Sequence, residues 1–353
     1  MARRKLPNLA DRYLLRVCEM FLEGTPAAQI AKWVNTESRK EGRVLDLTRE
    51  QIYPLLHEAR KRGYFTIQPP LHLVLSQRLA DLYRVKGRDD SPIAVVNAMD
   101  LSALDHVAAE AAAVALRVIK KLVTVKNPVH IGLGAGFTSL RMAHHLAALL
   151  RAEPTLPMLV LHALSTGFRV DQPHIAPVAF FSLFDALSPK VGYVGLFSPA
   201  IVSSQHYDAV KREPGVAESF AAAGDIDVIL TSLASASDEH GALNQFLADH
   251  VGDVEGLKQA GWIGDLQYRP YSRQGPIVQE AHIRAVTLFD LPDLVTLAQT
   301  PHKSVIVAAG PCGQCGRTRT DALYPLLTEP SLKVWTHLVV DFTTAQELVA
   351  LAP

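Results

Sequence analysis

The chain has 353 residues, 48% of them hydrophobic and 20% charged, which suffices for two domains or for one domain with an appendage. No apolar run reaches the roughly 20 residues a membrane helix needs, and the basic start MARRKLPNLADRY lacks the apolar stretch of a secretory signal. Three cysteines make no disulfide framework, so the cytoplasm is the simplest setting and no membrane partner is expected. Lysine plus arginine equals aspartate plus glutamate at 35 each, yet the charge is unevenly shared: residues 1–70 hold 13 cations against 8 anions, and the remainder 22 against 27. A basic head on an acidic body suits a protein whose head alone meets a phosphate backbone.

In chain order, residues 11–23 read as an amphipathic helix with Leu14, Leu15, Cys18, Phe21 and Leu22 on one side, closed by Gly24. Pro26 opens a short second helix with Ile30, Ala31 and Val34 inward, followed by a charged insert, Thr36 to Arg43. A third helix starts at Thr48, with Gln51 completing a capping box. Ile52, Leu55, Leu56 and Ala59 form its inner face, Arg60, Lys61 and Arg62 crowd its last turn, and Gly63 is its stop. Tyr64 to Ile67 read as a short strand before Pro69 and Pro70. Helix, short helix, turn and basic helix is helix-turn-helix order with a long turn. Double-stranded DNA is the expected partner, with Thr48, Arg49, Gln51, Tyr53, His57, Arg60, Lys61 and Arg62 as contacts. Pro54, sixth in the helix, removes a backbone hydrogen bond and predicts a kink or a late start near Tyr53.

Residues 71–88 read as a separate amphipathic helix with Leu75, Leu79, Leu82 and Tyr83 in its stripe, a linker or oligomerisation element over 69–91, with a boundary at Asp89 to Pro92. From Ile93 onward, strand-like runs (191–197, 228–230, 262–267, 304–308 and 337–340 among them) alternate with helical stretches. That pattern predicts one α/β domain over 92–353 with a largely parallel sheet, behind a DNA-binding head over 1–68.

One loop carries the chemistry. Gly132, Gly134 and Gly136, followed by Phe137, Thr138 and Ser139, lie between a strand and a helix. Glycine amides there can converge on an anion at the helix N-terminus, and the two hydroxyls add donors. The spacing is neither the dinucleotide fingerprint nor a P-loop. A phosphate cradle is preferred to a plain tight turn, because ligands bind at the carboxyl ends of strands in such sheets.

Taken together, QIAKWV, LTREQIYPLLHEARKRGYFTI, VHIGLGAGFTSLRMAHHLA, AGWIGDLQYRPYSRQG, SVIVAAG, RTDALYPLL and THLVVDFTTAQELV resemble, in order and spacing, the SorC family of sugar-binding transcriptional regulators. The resemblance spans nearly the whole chain. It implies an effector domain of phosphosugar-isomerase-like fold, akin to CoA transferases, binding a phosphorylated sugar or similar anionic metabolite and assembling as a homodimer or homotetramer, with no catalytic residues and no cofactor. By position, Gly134, Gly136, Phe137, Thr138 and Ser139 would surround the effector phosphate and Asp265 its hydroxyls, although Asp265 also reads as a turn aspartate. Arg169 reads either as a cleft residue or as a surface arginine.

Where the family carries a glycine pair and then a lysine, this chain reads Gly310 to Arg319, and Arg319, or failing it Arg317, takes the lysine's place. Arginine clamps phosphate or carboxylate through two donors. The same loop holds Cys312 and Cys315. A redox switch would make the protein a redox-sensing regulator, and a zinc site would need two further ligands, with His302 and His337 as candidates. The preferred reading is a glycine-rich ligand loop with two small residues and no metal. A sugar-phosphate isomerase-like enzyme with an accessory head, using Asp265 or Asp238 as base, is the competing function.

Overall fold

The computed structural model describes residues 11–62, 64–65, 68–85, 92–153, 155, 157–167, 169, 171–187, 190–250, 254–277 and 283–352. Two compact units divide the chain, Met1–Gln68 and Pro69–Pro353.

In the smaller unit, helices α1 (Asp11–Leu22), α2 (Ala27–Lys40) and α3 (Arg49–Lys61) enclose one core. Leu14, Val17, Ile30, Val34, Ile52, Leu55 and Ala59 meet there because each recurs at helical spacing on an inner face. Gly24, at φ +85°, turns the chain from α1 toward α2. The long approach to α3 is pinned by Asn35, whose amide donates to the Leu47 carbonyl (2.9 Å) and accepts from the Leu47 N–H (2.8 Å).

Three expectations for this unit change. Thr36 to Lys40 are not an insert but the end of α2: Ser38 faces inward, and Thr36 donates to the Lys32 carbonyl one turn back (2.9 Å). Nor does Pro54 delay α3. The helix is continuous from Arg49, because Gln51 Oε1 accepts from the Thr48 N–H (2.9 Å) and four buried apolar residues anchor it, while the proline ring stays exposed. Tyr64 and Phe65 form no strand. They pack on the helical core as irregular chain, and the Tyr64 N–H closes α3 by donating to the Ala59 carbonyl (3.0 Å). Gly63, Thr66 and Ile67 lie outside the described residues.

The larger unit starts with α4 (Leu73–Leu82), β1 (Ile93–Val96), α5 (Ala103–Leu122), β2 (Val129–Leu133), α6 (Phe137–Arg151) and β3 (Leu159–Ala163). After 3-10 turns over 173–187 come β4 (Val191–Val194), β5 (Ile201–Ser203), α7 (Tyr207–Val210), α8 (Ala217–Ala222), β6 (Val228–Ser235), α9 (Ala242–His250) and α10 (Val254–Gln259). Strands β7 (Gly264–Leu266), β8 (Arg269–Ser272), β9 (Gly275–Pro276) and β10 (Ile283–Ala285) follow, then α11 (Leu291–Gln299), β11 (Ser304–Ala309), α12 (Thr320–Thr328), β12 (His337–Asp341) and α13 (Phe342–Ala350).

Seven strands form a parallel sheet in the order β1-β12-β11-β6-β2-β3-β4. Its strands are nearly continuous apolar runs because both faces are covered. On one face lie α5, α6 and Phe180 and Phe184 of the 3-10 turns; on the other lie α4, α11, α12 and α13. Helix α4 is thus part of this unit rather than a separate linker. Leu75 and Leu79 are buried, and the hydroxyl of Tyr83 donates to the Leu348 carbonyl (2.6 Å). The helix ends at Leu82, where Arg84 adopts φ +48°; residues 86–91 lie outside the described residues.

The strand order reverses between β2 and β6: the chain leaves β2 toward β3 on one side and comes back to β6 on the other. A crevice opens outside the carboxyl ends of strands at such a point. Strand β6 overruns the sheet there. Its last residues pair antiparallel with β7 (Leu233 with Leu266, Ala234 with Asp265), which hangs the β7–β8 hairpin over the crevice.

Replacing Pro54 by alanine returns an N–H to the Glu50 carbonyl and removes the ring's clash, so α3 should gain up to about 3 kcal/mol. The expected signature is slower hydrogen exchange of α3 amides in the full-length chain; unchanged exchange would mean that the proline costs this helix nothing.

Candidate functional site

A cleft occupies the crevice. Gly136, Phe137 and Thr138 line it from the β2–α6 loop, Thr231 to Ala234 from β6, Asp265, Gln267 and Tyr268 from the hairpin, and Cys312 and Arg319 from the segment after β11.

The glycines act differently from expectation. The Gly134 N–H donates to the Leu230 carbonyl (2.9 Å) and the Gly136 N–H to the Ile175 carbonyl (3.0 Å), so neither is left for an anion. What demands glycine is space and backbone. A Cβ on Gly134 would lie 2.7 Å from Thr231 Oγ1, and Gly136 sits at φ +102° as the N-cap of α6. The amides without an acceptor in their own helix are instead those of Phe137, Thr138 and Ser139, which form the first turn of α6, a place where an anion can bind. Thr138 reaches the cleft. Ser139 lies beneath it, its Oγ buried without a hydrogen-bond partner. Phe137, 43% exposed, sits beside the ring of His174 (centroids 5.7 Å apart).

Asp265 is 5% exposed and faces the cleft from β7. Burial pushes its carboxyl up to about 7, against the pull of the Arg319 cation and a hydrogen bond from the Tyr268 N–H. Beside it, Gln267 and Tyr268 make the two-residue hairpin loop, both left-handed at φ +51° and +62°. Non-glycine residues held there cost energy and cluster at binding sites. The turn aims Gln267 inward, and neither its Oε1 nor its Nε2 has a partner. Buried polar atoms without partners are rare, and a ligand that fills the cleft would satisfy these. The sequence expectation of a strand over 262–267 therefore holds only for Gly264–Leu266.

Arg319 precedes α12 and donates to the Leu233 carbonyl. Burial lowers its pKa, while Asp238, Cys312 and Asp265 favour its charge. Arg317 is exposed, donates to the Ser237 carbonyl (2.5 Å) and stands outside the cleft lining, so Arg319 alone of the two reaches the cleft. Arg169 is a cleft residue, oriented by both oxygens of Asp171 (3.0 and 2.7 Å) and by Gln245 (2.5 Å). Cys312 and Asp238 meet at the cleft edge, whereas His302 and His337 precede β11 and begin β12, at the opposite end of these parallel strands. Gln267, Tyr268 and Thr231 are site residues that sequence reasoning missed.

On α3, Arg49, Tyr53, His57 and Arg60 are exposed at spacings of four, four and three, which puts them on one face. Gln51 is half-buried and spent on the cap, so it is a structural residue rather than a reader of bases. Thr48 is the exposed N-cap, and Arg62 pairs with Glu58 (2.8 Å). The Lys61 side chain lies outside the described residues.

No family model and no curated protein matches the sequence. Structural comparison places this mixed α/β fold beside sugar-binding transcriptional regulators of the SorC and DeoR families. The full-length sorbitol operon regulator SorC of Klebsiella pneumoniae aligns with a TM-score of 0.60 at 16% identity, over 96% of this chain and 98% of that one. A DeoR family transcriptional regulator of Listeria monocytogenes gives 0.55 at 16% identity, over 78% and 98%. A domain of a possible sugar-binding transcriptional regulator from Arthrobacter aurescens gives 0.56 at 16%, over 78% and 96%. At these identities the likeness establishes the fold. Among the described residues, no helix is long and apolar enough to cross a membrane.

The raised carboxyl of Asp265 fixes a pH dependence. Its unfolded form ionises near 3.8 and its folded form near 7, so the folded state is increasingly penalised as pH rises between those values and evenly above them. Three pH units correspond to roughly 4 kcal/mol. Asp265→Asn should therefore gain stability relative to the parent from pH 4.5 to 7.5 in urea unfolding; parallel profiles would place the Asp265 carboxyl in its ordinary range.

Proposed function

We propose that the protein is a DNA-binding transcriptional regulator whose operator affinity is set by a small phosphorylated sugar or similar anionic metabolite. The observation that carries this reading is the Gln267 side chain, buried and unpartnered, facing a cleft that also holds Thr138 at a helix N-terminus. In this reading the larger unit is a phosphosugar-isomerase-like effector domain. The effector phosphate meets the first-turn amides of α6 and the Thr138 hydroxyl, with Arg169 and Arg319 supplying positive charge. Hydroxyls of the same ligand pair with Gln267 and with Asp265, which near neutral pH can either donate or accept a hydrogen bond.

The smaller unit serves as a helix-turn-helix domain in which α3 enters the major groove, with Arg49, Tyr53, His57 and Arg60 facing DNA. The names of the structural neighbours, as regulators and sugar-binding regulators, point the same way. Assembly as a homodimer or homotetramer would present paired heads to a two-fold operator. One observation favours an enzyme instead: a carboxyl near 7 suits acid–base chemistry.

Titration of the full-length protein with its own upstream DNA at two salt concentrations separates the readings. A regulator binds specifically, with salt sensitivity, and a phosphosugar shifts the curve. Arg49→Ala and Arg60→Ala should each lower the slope of log affinity against log salt by about 1. Gln267→Ala should leave the unliganded protein as stable as the parent or more so, because a buried amide without partners is removed, while weakening the metabolite response at least ~10-fold. Turnover of a phosphosugar with no DNA binding would establish the enzyme.

A further inference from the structure

The ligand-donor atoms of Asp238, Cys312 and Cys315 lie within 4.8 Å of one another at the edge of the cleft. Asp238 follows β6, and the two thiols follow β11, so neighbouring strands deliver them to the same end of the sheet. Cys312 Sγ lies 3.4 Å from Asp238 Oδ1. A tetrahedral zinc site with ordinary zinc–sulfur and zinc–oxygen bonds separates its ligand atoms by about 3.5–3.8 Å, so small side-chain rotations bring the three into range. The loop holds the two cysteines close together: Gly316, left-handed at φ +71°, closes the turn with its N–H on the Cys312 carbonyl (2.9 Å).

We propose that Cys312, Cys315 and Asp238 bind a zinc-class divalent cation in a three-ligand site whose fourth position opens toward the effector cleft. Binding breaks two S–H bonds, forms two sulfur–metal bonds and one oxygen–metal bond, and releases two protons to solvent, with no change in oxidation state. Two thiolates and a carboxylate bring three negative charges. The cation cancels two, and the neighbouring Arg319 cation, which Asp238 and Cys312 already favour, offsets the third. Cys315 is exposed and gives the ion an entry, whereas Cys312 and Asp238 are buried and set the geometry. Because Cys312 and Asp238 also line the cleft, an oxygen of a bound metabolite can take the fourth position, as water does in open zinc sites. The site stands whether the protein is a regulator or an enzyme.

The test uses reduced full-length protein with Zn2+ or Co2+ as the only added ligand. Expected are one ion per chain with sub-micromolar affinity in competition with a chromophoric chelator, a near-ultraviolet thiolate-to-cobalt charge-transfer band, and release of about two protons per ion near neutral pH. Cys315→Ser, at an exposed position, should weaken binding at least ~100-fold and leave about half the band intensity at saturation, because the Cys312 thiolate remains. Asp238→Asn should weaken binding while retaining the band, and Cys18→Ser, in the other unit, should change neither. Failure of the reduced protein to take up either ion, or uptake by Cys315→Ser with the parent's affinity, as binding through some of the 14 histidines would give, overturns the proposal.

Discussion

The cleft of the larger unit is arranged around one half-buried cation. The Arg319 guanidinium sits where β6, the β7–β8 hairpin and the loop after β11 converge, held by the Leu233 carbonyl and by the fields of Asp238 and Asp265. A guanidinium taken out of water is costly unless countered, and so is each carboxylate beside it. The groups are coupled: Arg319 draws Asp265 toward its ionised form while burial draws it the other way and prevails, so losing the Asp265 charge relieves more than it costs, whereas Asp238 and Cys312 favour the charge on Arg319. The overrun of β6 that carries the hairpin and the start of α12 bring these groups together. The cleft is the space that this charge arrangement keeps open.

Around the cation, the cleft has features that a core without a binding role would shed. Gln267 has no partner for either amide atom, the Ser139 hydroxyl has none, and two consecutive residues of the hairpin turn are left-handed without being glycine. Each costs stability on the order of 1–3 kcal/mol. The cost is tolerable because both faces of the parallel sheet are sealed by large apolar clusters. Rigid surroundings hold the unpaired groups in place, so a ligand need not order them on binding.

The sheet was legible in sequence because its strands, covered on both faces, read as short apolar runs between helical periods. So was the glycine loop, since few other residues let a chain turn so closely against a neighbouring strand. Its detailed role was not legible: which amides remain for an anion depends on the Leu230 and Ile175 carbonyls, which are remote in sequence. The hairpin turn was hidden because its left-handed pair is Gln267 and Tyr268 rather than the asparagine and glycine such turns favour. The end of α2 was misread for another reason. Thr36 to Lys40 carry charge on the outer helix face, and the one small residue turned inward, Ser38, gives no apolar signal. Tyr64 and Phe65 look like a strand by composition, yet their apolar rings serve the helical core next to them.

Charge accounting narrows what the cleft can hold. Arg141 and Arg169 line it together with Arg319, and Arg169 already has Asp171 as its counter-ion. Arg141 is likewise paired, with Asp105 (3.1 Å). The positive potential not paired with a carboxylate thus comes from the first turn of α6 and from Arg319, with the Asp171-paired Arg169 adding directed donors, which suits one phosphate or carboxylate rather than a polyanion. Asp265 limits it further. An ionised carboxylate there would repel an anion set deep in the cleft, whereas its protonated form donates to one, so binding of an anion at that depth draws a proton onto Asp265. In the proposed reading, a ligand with its charge at one end and hydroxyls at the other would avoid the conflict, with the anion against α6 and the hydroxyls against Asp265 and Gln267, which is the chemical asymmetry of the phosphorylated sugar proposed above.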